Sequence, residues 1–229
     1  MNTDITLLFI GPAYVGKTTT CASILTSMGV NHAFGIIQGN HLYSQKINMA
    51  TCDIKIRDQP VKLQLIEIPI FLDDKTKESV IDILKKGVTA VILVDNMITI
   101  RSAITLMPYS SKMILTNFFK LCPKELAERV AVITTCSSSV IDAEMEDRLL
   151  SEYCKSLHKE LKELHPTIEI FRTPVSTFDN DKLLADLQVD TVKFLEEIAT
   201  KWRTNITGQI EQKEETLTMF QKISRFIAL

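Results

Sequence analysis

Apolar and polar positions alternate along this chain in several distinct rhythms. DITLLFIG (4–11) is a short, continuously apolar run ending at Gly11, the pattern of a strand buried on both faces. KTTTCASILTSMG (17–29) takes up helical spacing and stops at Gly29. After an irregular stretch, INMATCDIKI (47–56) and VKLQLIEIP (61–69) alternate on either side of a turn-like RDQP. That pattern predicts a hairpin of two neighbouring strands. GVTAVILVDN (87–96) and ERVAVITTC (128–136) read as two more apolar strands. Between them AITLMPYSSKMILTNFFKLCPKELA (103–127) is helical in pattern, interrupted at Pro108. A long amphipathic helix over 142–165, a last strand over 167–176 and a closing helix over 181–202 complete the series. Past Gly208 the tail carries Leu217, Phe220, Ile223, Phe226 and Ile227 as a helical stripe. The expected division is a domain over 1–203 and an amphipathic helical extension over 204–229.

The hairpin narrows the fold class. Most doubly wound sheets place a helix between every pair of strands. A strand, a loop and helix, and then two strands with no helix between them is the layout of a Ras-like P-loop NTPase. The expected architecture is therefore α/β: a mostly parallel central sheet, one antiparallel strand from the hairpin, and helices on both faces.

GPAYVGKT (11–18) lies between the first strand and its helix and matches G-x-x-x-x-G-K-[ST]. In that motif successive backbone N–H groups wrap phosphates, the lysine reaches the outer oxygens and the threonine hydroxyl faces Mg²⁺. A chance match in a chain of this length is roughly a one per cent event. The candidate nucleotide contacts here are Gly11, Tyr14, Val15, Gly16, Lys17, Thr18 and Thr19, with Thr18 and Glu67 as candidate metal residues. The motif predicts a nucleotide or other phosphate ligand with Mg²⁺.

Two further motifs depart from the usual GTPase pattern. The third strand ends in Glu67-Ile68-Pro69-Ile70 where D-x-x-G is customary. Glu67 keeps the charge with one extra methylene, and Ile70 lacks the freedom of glycine. The fifth strand runs into ITTCSSSV (133–140), with neither the lysine nor the aspartate of [NT]-K-x-D. That aspartate pairs with the guanine edge, so guanine selectivity is expected to be weak or to come from other groups.

Taken together, these elements resemble the septin-related GTPases of the GIMAP, or avirulence-induced, family over about residues 5–198. The family's DTPG corresponds to EIPI, its T-x-K-x-D loop to Thr135–Ser139, and its closing F-D-N to Phe178, Asp179 and Asn180. The resemblance implies a switch that binds GTP or GDP with Mg²⁺, has slow or absent hydrolysis, and forms dimers or oligomers through its nucleotide face. It also implies that Thr135, Ser137, Phe178 and Asn180 enclose the base. Thr51 and Ser44 each match a local pattern for the switch threonine. The alternative is a pseudo-GTPase scaffold that has lost guanine selectivity or nucleotide binding. No catalytic residue is assigned, and any turnover is expected to be that of a slow GTPase at most.

Composition adds limits. With 229 residues the chain fits one large domain, and a net charge of −2 gives no footprint for nucleic acid. Five cysteines without metal-ligand spacing, and no basic leader segment, lead to the expectation of a cytoplasmic protein. No apolar run is long enough to span a bilayer. The tail stripe is expected to pack on the domain or on a protein partner, with adsorption to a membrane surface as the lesser alternative. The four histidines are scattered and are read as structural.

Overall fold

The computed structural model describes residues 4–30, 46–56, 58–69, 74–102, 109–135, 143–163, 170–177, 184–202 and 205–206. The first strand, β1 (Asp4–Ile10), is buried at every position after Asp4. It leads through the glycine-bearing loop into α1 (Lys17–Ser27), which stops at Met28 with Gly29 in the left-handed region at φ 72°. β2 (Asn48–Ile56) and β3 (Gln59–Glu67) form the hairpin, followed by α2 (Asp74–Lys86) and β4 (Ala90–Asn96). Three helices follow, α3 (Met97–Ser102), α4 (Tyr109–Phe119) and α5 (Lys124–Ala127). β5 (Val130–Thr135), α6 (Ala143–Lys162), β6 (Ile170–Thr177) and α7 (Leu184–Lys201) complete the order.

The strands make one six-stranded sheet in the order β2-β3-β1-β4-β5-β6, in which only the β2–β3 pair is antiparallel. Because the side chains of β1 alternate, its two faces feed two cores. Ile5, Leu7 and Phe9 pack with Cys21, Ile24 and Leu25 of α1 and with Phe194, Leu195 and Ile198 of α7. Leu8 and Ile10 face the other way, with Val80 and Leu84 of α2, Leu115 and Phe118 of α4, and Leu150 and Leu157 of α6. The sheet is thus covered on both sides, as a mostly parallel sheet must be. The expected α/β architecture is the one observed. Among the described residues no helix is long and apolar enough to cross a membrane.

Three local features differ from the sequence pattern. The α2 helix was not predicted: only Val80 and Leu84 are fully buried on it, with Ile83 partly buried beside them, so its apolar stripe is narrow. The hairpin turn is tighter than RDQP, because Gln59 and Pro60 already pair with Ile56 and Lys55. Asp58 makes the reversal at φ 60°, and β1 joins β3 only from Lys62 onward, so Pro60 interrupts no ladder with β1. The helical segment around Pro108 begins earlier than expected, at Met97, where the Asn96 side chain accepts the Ile98 N–H at 2.8 Å and starts α3. Pro108 itself, and the tail beyond Ile206, lie outside the described residues.

The chain remains tied to the domain past residue 203. Val88 and Ile206 exchange backbone hydrogen bonds at 3.0 and 2.8 Å. Thr89 completes the tie: its Oγ1 accepts the Thr6 N–H at 2.9 Å and donates to the Asn205 side chain. Thr89 is fully buried. Thr89→Val keeps the shape but leaves the Thr6 N–H and the Asn205 carbonyl without this partner. We expect it to destabilise the domain by about 1–3 kcal/mol, read as a lower urea midpoint at unchanged slope.

Candidate functional site

Parallel strands end at one edge of a sheet, and here that edge gathers the polar residues. Register pairs Phe9 with Glu67, Ile10 with Leu93 and Asn96 with Thr135. The carboxyl ends of β1, β3, β4 and β5 therefore surround the loop that leaves β1. β1 also sits where strand order reverses, with β3 on one side and β4 on the other, which is where ligands enter open α/β sheets.

The loop is wrapped tightly. A Cβ on Gly11, whose φ is 150°, would lie 2.1 Å from the Val94 carbonyl oxygen. Only glycine permits that approach of β1's end to β4. Gly16 has φ 88°, and a Cβ there would sit 3.2 Å from Thr135 Cγ2. Tyr14 takes φ 62° with its side chain 66% exposed, while Val15 beside it is buried. The helix begins at once, with Thr20 N–H donating to the Gly16 carbonyl at 2.8 Å. This is a concave run of backbone capped by a helix N-terminus, the form that binds anions. Thr19 is exposed on the first turn of α1.

Lys17 crosses the mouth of this loop. Its Nζ donates to the Gly11 carbonyl at 3.0 Å and the Pro12 carbonyl at 2.8 Å. Burial pulls its pKa below the ordinary lysine value, and the nearby Glu67 charge opposes that shift. Thr18 lies one residue on. Its Oγ1 is 2.8 and 2.9 Å from the two Glu67 carboxylate oxygens, and Asn48 Nδ2 donates to Oε2 at 2.9 Å. Glu67 is only 2% exposed. Since a hydroxyl has a single hydrogen, donation to Glu67 leaves the Thr18 lone pairs free for a cation. Such an oxygen donor set suits Mg²⁺, which takes one or two protein oxygens and completes its shell with water and phosphate. Among the described residues no group of three or more His, Cys, Asp or Glu side chains forms a metal cage, so the cation would be held jointly with a ligand.

Thr135 stands at the end of β5, against the phosphate loop. Its Oγ1 donates to the Val15 carbonyl at 2.6 Å, with the Asp95 carbonyl 3.4 Å away. The residue is buried and clamps the phosphate loop, so its hydroxyl is already engaged there. Ser137, Phe178 and Asn180, the other residues expected around the base, lie outside the described residues, as do Ile70 and Ser44. Thr51 is exposed on β2 and accepts from Gln64 Nε2 at 3.2 Å.

Two residues at this edge were not singled out from the sequence. Asn48 is one. The other is Asp95, fully buried at the end of β4, where Ser111 Oγ and Tyr153 Oη donate to Oδ2 at 2.6 and 2.7 Å and Asn96 N–H donates to Oδ1 at 2.8 Å. An acid closing the apolar run AVILV at a strand's carboxyl end was the available signal.

No family model and no curated protein matches this sequence. Solved structures do match its fold. Toc33 from Arabidopsis thaliana in complex with Mg²⁺ and GMPPNP aligns at TM-score 0.58 and 14% identity, over 90% of this chain and 89% of that one. A dimerization-deficient Toc33 mutant aligns at TM-score 0.60 and 15% identity, over 90% and 88%. The bacterial selenocysteine-specific elongation factor EF-Sec aligns at TM-score 0.50 and 20% identity, over 86% of this chain and 29% of that one. The fold is that of a Ras-like P-loop GTPase domain. At these identities the likeness is one of architecture.

Asp95 generates a pH prediction. Burial raises its pKa above 3.8, against the lowering effect of the Ser111, Tyr153 and Asn96 donors. The folded state therefore binds this proton more tightly than the unfolded chain. The stabilisation it brings is complete below the unfolded pKa and is lost as pH rises through the folded one. Urea midpoints measured across that window should show a falling component that is missing in Asp95→Asn. An identical pH dependence in the two proteins would reject this assignment.

Proposed function

We propose that this chain is a guanine-nucleotide-binding protein of GIMAP-like type, a conformational or assembly switch with slow or absent GTP hydrolysis. The observation that carries the reading is a formed phosphate loop with Lys17 across its mouth and the Thr18–Glu67 pair beside it. The Gly11–Thr19 backbone offers its N–H groups to the phosphates. Lys17 would exchange the Gly11 and Pro12 carbonyls for phosphate oxygens, whose negative charge offsets the desolvation of its ammonium. Thr18 and Glu67 would hold Mg²⁺, which supplies charge neutralisation between the outer phosphates. Thr135 keeps Val15 in place while this happens. Residues 135–139 and 178–180 are proposed to enclose the base; of these only Thr135 lies within the described residues.

Hydrolysis is slow in this reading because no glutamine or histidine stands in or beside Glu67-Ile68-Pro69-Ile70 to orient water. Dimerization is important for the GTPase activity of Toc33, whose architecture this chain shares, and that likeness supports pairing of two copies, which we place at the nucleotide face. A cytoplasmic location, and a protein partner for the C-terminal helix, belong to the same proposal. One specific feature favours the pseudo-GTPase reading instead: TCSSS stands where a guanine-reading aspartate would be.

Lys17→Ala tests the site. It should reduce nucleotide affinity by about tenfold to a hundredfold or more, since each charge-assisted contact contributes about 1.5–3 kcal/mol. The far-ultraviolet circular dichroism spectrum should be unchanged. Fluorescence titration of wild type and variant gives the answer, and equal affinities would remove the phosphate loop from the mechanism.

Base selection is tested separately. Without a carboxylate on the guanine edge, GTP should be preferred over ATP by less than roughly 100-fold, where a fully matched polar site reaches 10⁴–10⁵. Ser137→Lys with Ser139→Asp should raise that preference. Competition binding with the two nucleotides decides it, and strong wild-type selectivity would mean that other residues read the base.

A further inference from the structure

Asn48 opens β2 and stands opposite Glu67 in the antiparallel register. Its amide donates to Glu67 Oε2 at 2.9 Å, while Thr18 Oγ1 lies 2.8 and 2.9 Å from the two oxygens of the same carboxylate. We propose that Asn48 is a positioning residue for the cation side of the nucleotide site, fixing the Glu67 carboxylate through its Oε2 atom so that Thr18 stays presented to a divalent metal. The inference rests on the nucleotide reading given above.

The physical reason lies in the length of the glutamate. It carries one more rotatable bond than an aspartate, and that freedom separates the carboxylate from its backbone by an adjustable linker. Thr18 alone touches the carboxylate from one side, through a single hydroxyl hydrogen. Asn48 supplies a second, independent donor from the neighbouring strand, and two donors on different elements define the plane and position of the group. Glu67 is 2% exposed, so water has little access with which to replace a lost donor. Groups that orient metal-binding side chains in this way typically change metal affinity 10–100-fold when removed. Asn48 also begins the strand that follows the α1–β2 connection.

The test measures nucleotide affinity of the full chain in Mg²⁺ and in excess chelator, for wild type, Asn48→Leu, Glu67→Asp and the double variant. The quantity read is the ratio of affinities with and without Mg²⁺. Asn48→Leu should lower that ratio by about tenfold or more. A role confined to holding the strands together would lower both affinities alike and leave the ratio unchanged, which overturns the inference. Glu67→Asp shortens the side chain away from Asn48, so the second substitution should then have less than half its effect, expressed as the logarithm of the ratio. Full additivity in the double variant would also overturn it. If Asn48→Leu unfolds, Asn48→Gln, which keeps the amide and moves it by one methylene, must show the same selective loss; an unaltered ratio there rejects the proposal. A wild type that binds no nucleotide under either condition overturns the nucleotide reading and this inference with it. A wild type that binds nucleotide with a ratio equal to that of the Asn48 variants overturns the inference alone.

Discussion

The contact between Gly11 and the Val94 carbonyl is the constraint around which the ligand edge is arranged. A side chain of even one carbon on Gly11 would sit 2.1 Å from that oxygen, so the loop leaves β1 pressed against β4. From there the chain must turn back sharply to start α1, and it does so through positive φ at Tyr14 and Gly16. The turn places Val15 inward, where Thr135 can reach its carbonyl, and puts Lys17 across the opening. β4 supplies the wall, β5 the clamp and β3 the acidic partner, while the phosphate loop itself contributes mostly backbone. This explains why the site needs a parallel sheet: only parallel strands bring four carboxyl ends to one edge.

Much of this was legible in the sequence, and the reason is that it is encoded locally. The apolar run 4–10, the glycine spacing and the helical rhythm after Lys17 each specify a short element through its own period. The hairpin between residues 47 and 69 was legible for the same reason, because alternation survives on both of its strands. The α2 helix was not, since Val80 and Leu84 are its only fully buried apolar positions and the polar remainder imitates a loop. Thr135 shows a different limit. The resemblance implies a base contact there, and nothing local in the sequence announces that its hydroxyl also donates to the Val15 carbonyl, 120 residues earlier in the chain. Asn48 and Asp95 likewise owe their roles to partners that are distant in sequence, Glu67 for one and Ser111 with Tyr153 for the other. Such partnerships are set by tertiary packing, which periodicity does not report.

The charges at this edge are arranged so that each depends on its neighbours. Lys17 is 8% exposed and Glu67 2%, and the nearby Glu67 charge favours the charged form of Lys17 against the cost of its burial. Their hydrogen bonds go to other groups: Lys17 bonds the Gly11 and Pro12 carbonyls, and Glu67 bonds Thr18 and Asn48. Both therefore remain available to exchange a partner for a ligand without a buried charge being stranded. Asp95 is handled differently, with three donors at close range behind the loop, and its network ties α4 and α6 to the strand against which Gly11 rests. Rigid support behind the loop and exchangeable bonds in front of it are complementary properties of one edge.

Tyr14 shows that local stability alone did not choose the residues of this loop. Left-handed backbone costs a side-chain-bearing residue about 1–2 kcal/mol relative to glycine, and aromatic residues gain no local hydrogen bond to offset it. Its side chain is 66% exposed, so burial in the domain core returns little of that cost. The strain persists because its neighbours over-determine the path: Gly11 is pinned to Val94, Val15 is held by Thr135, and Gly16 must start the helix. A glycine at position 14 would relieve the strain, yet it would also free the loop to sample other shapes in the unliganded protein. The pinning of Gly11 and Val15, against the preference of Tyr14 itself, narrows the unbound ensemble toward a wrapped loop. The loop thus enters binding with part of its ordering cost already met by the fold that surrounds it.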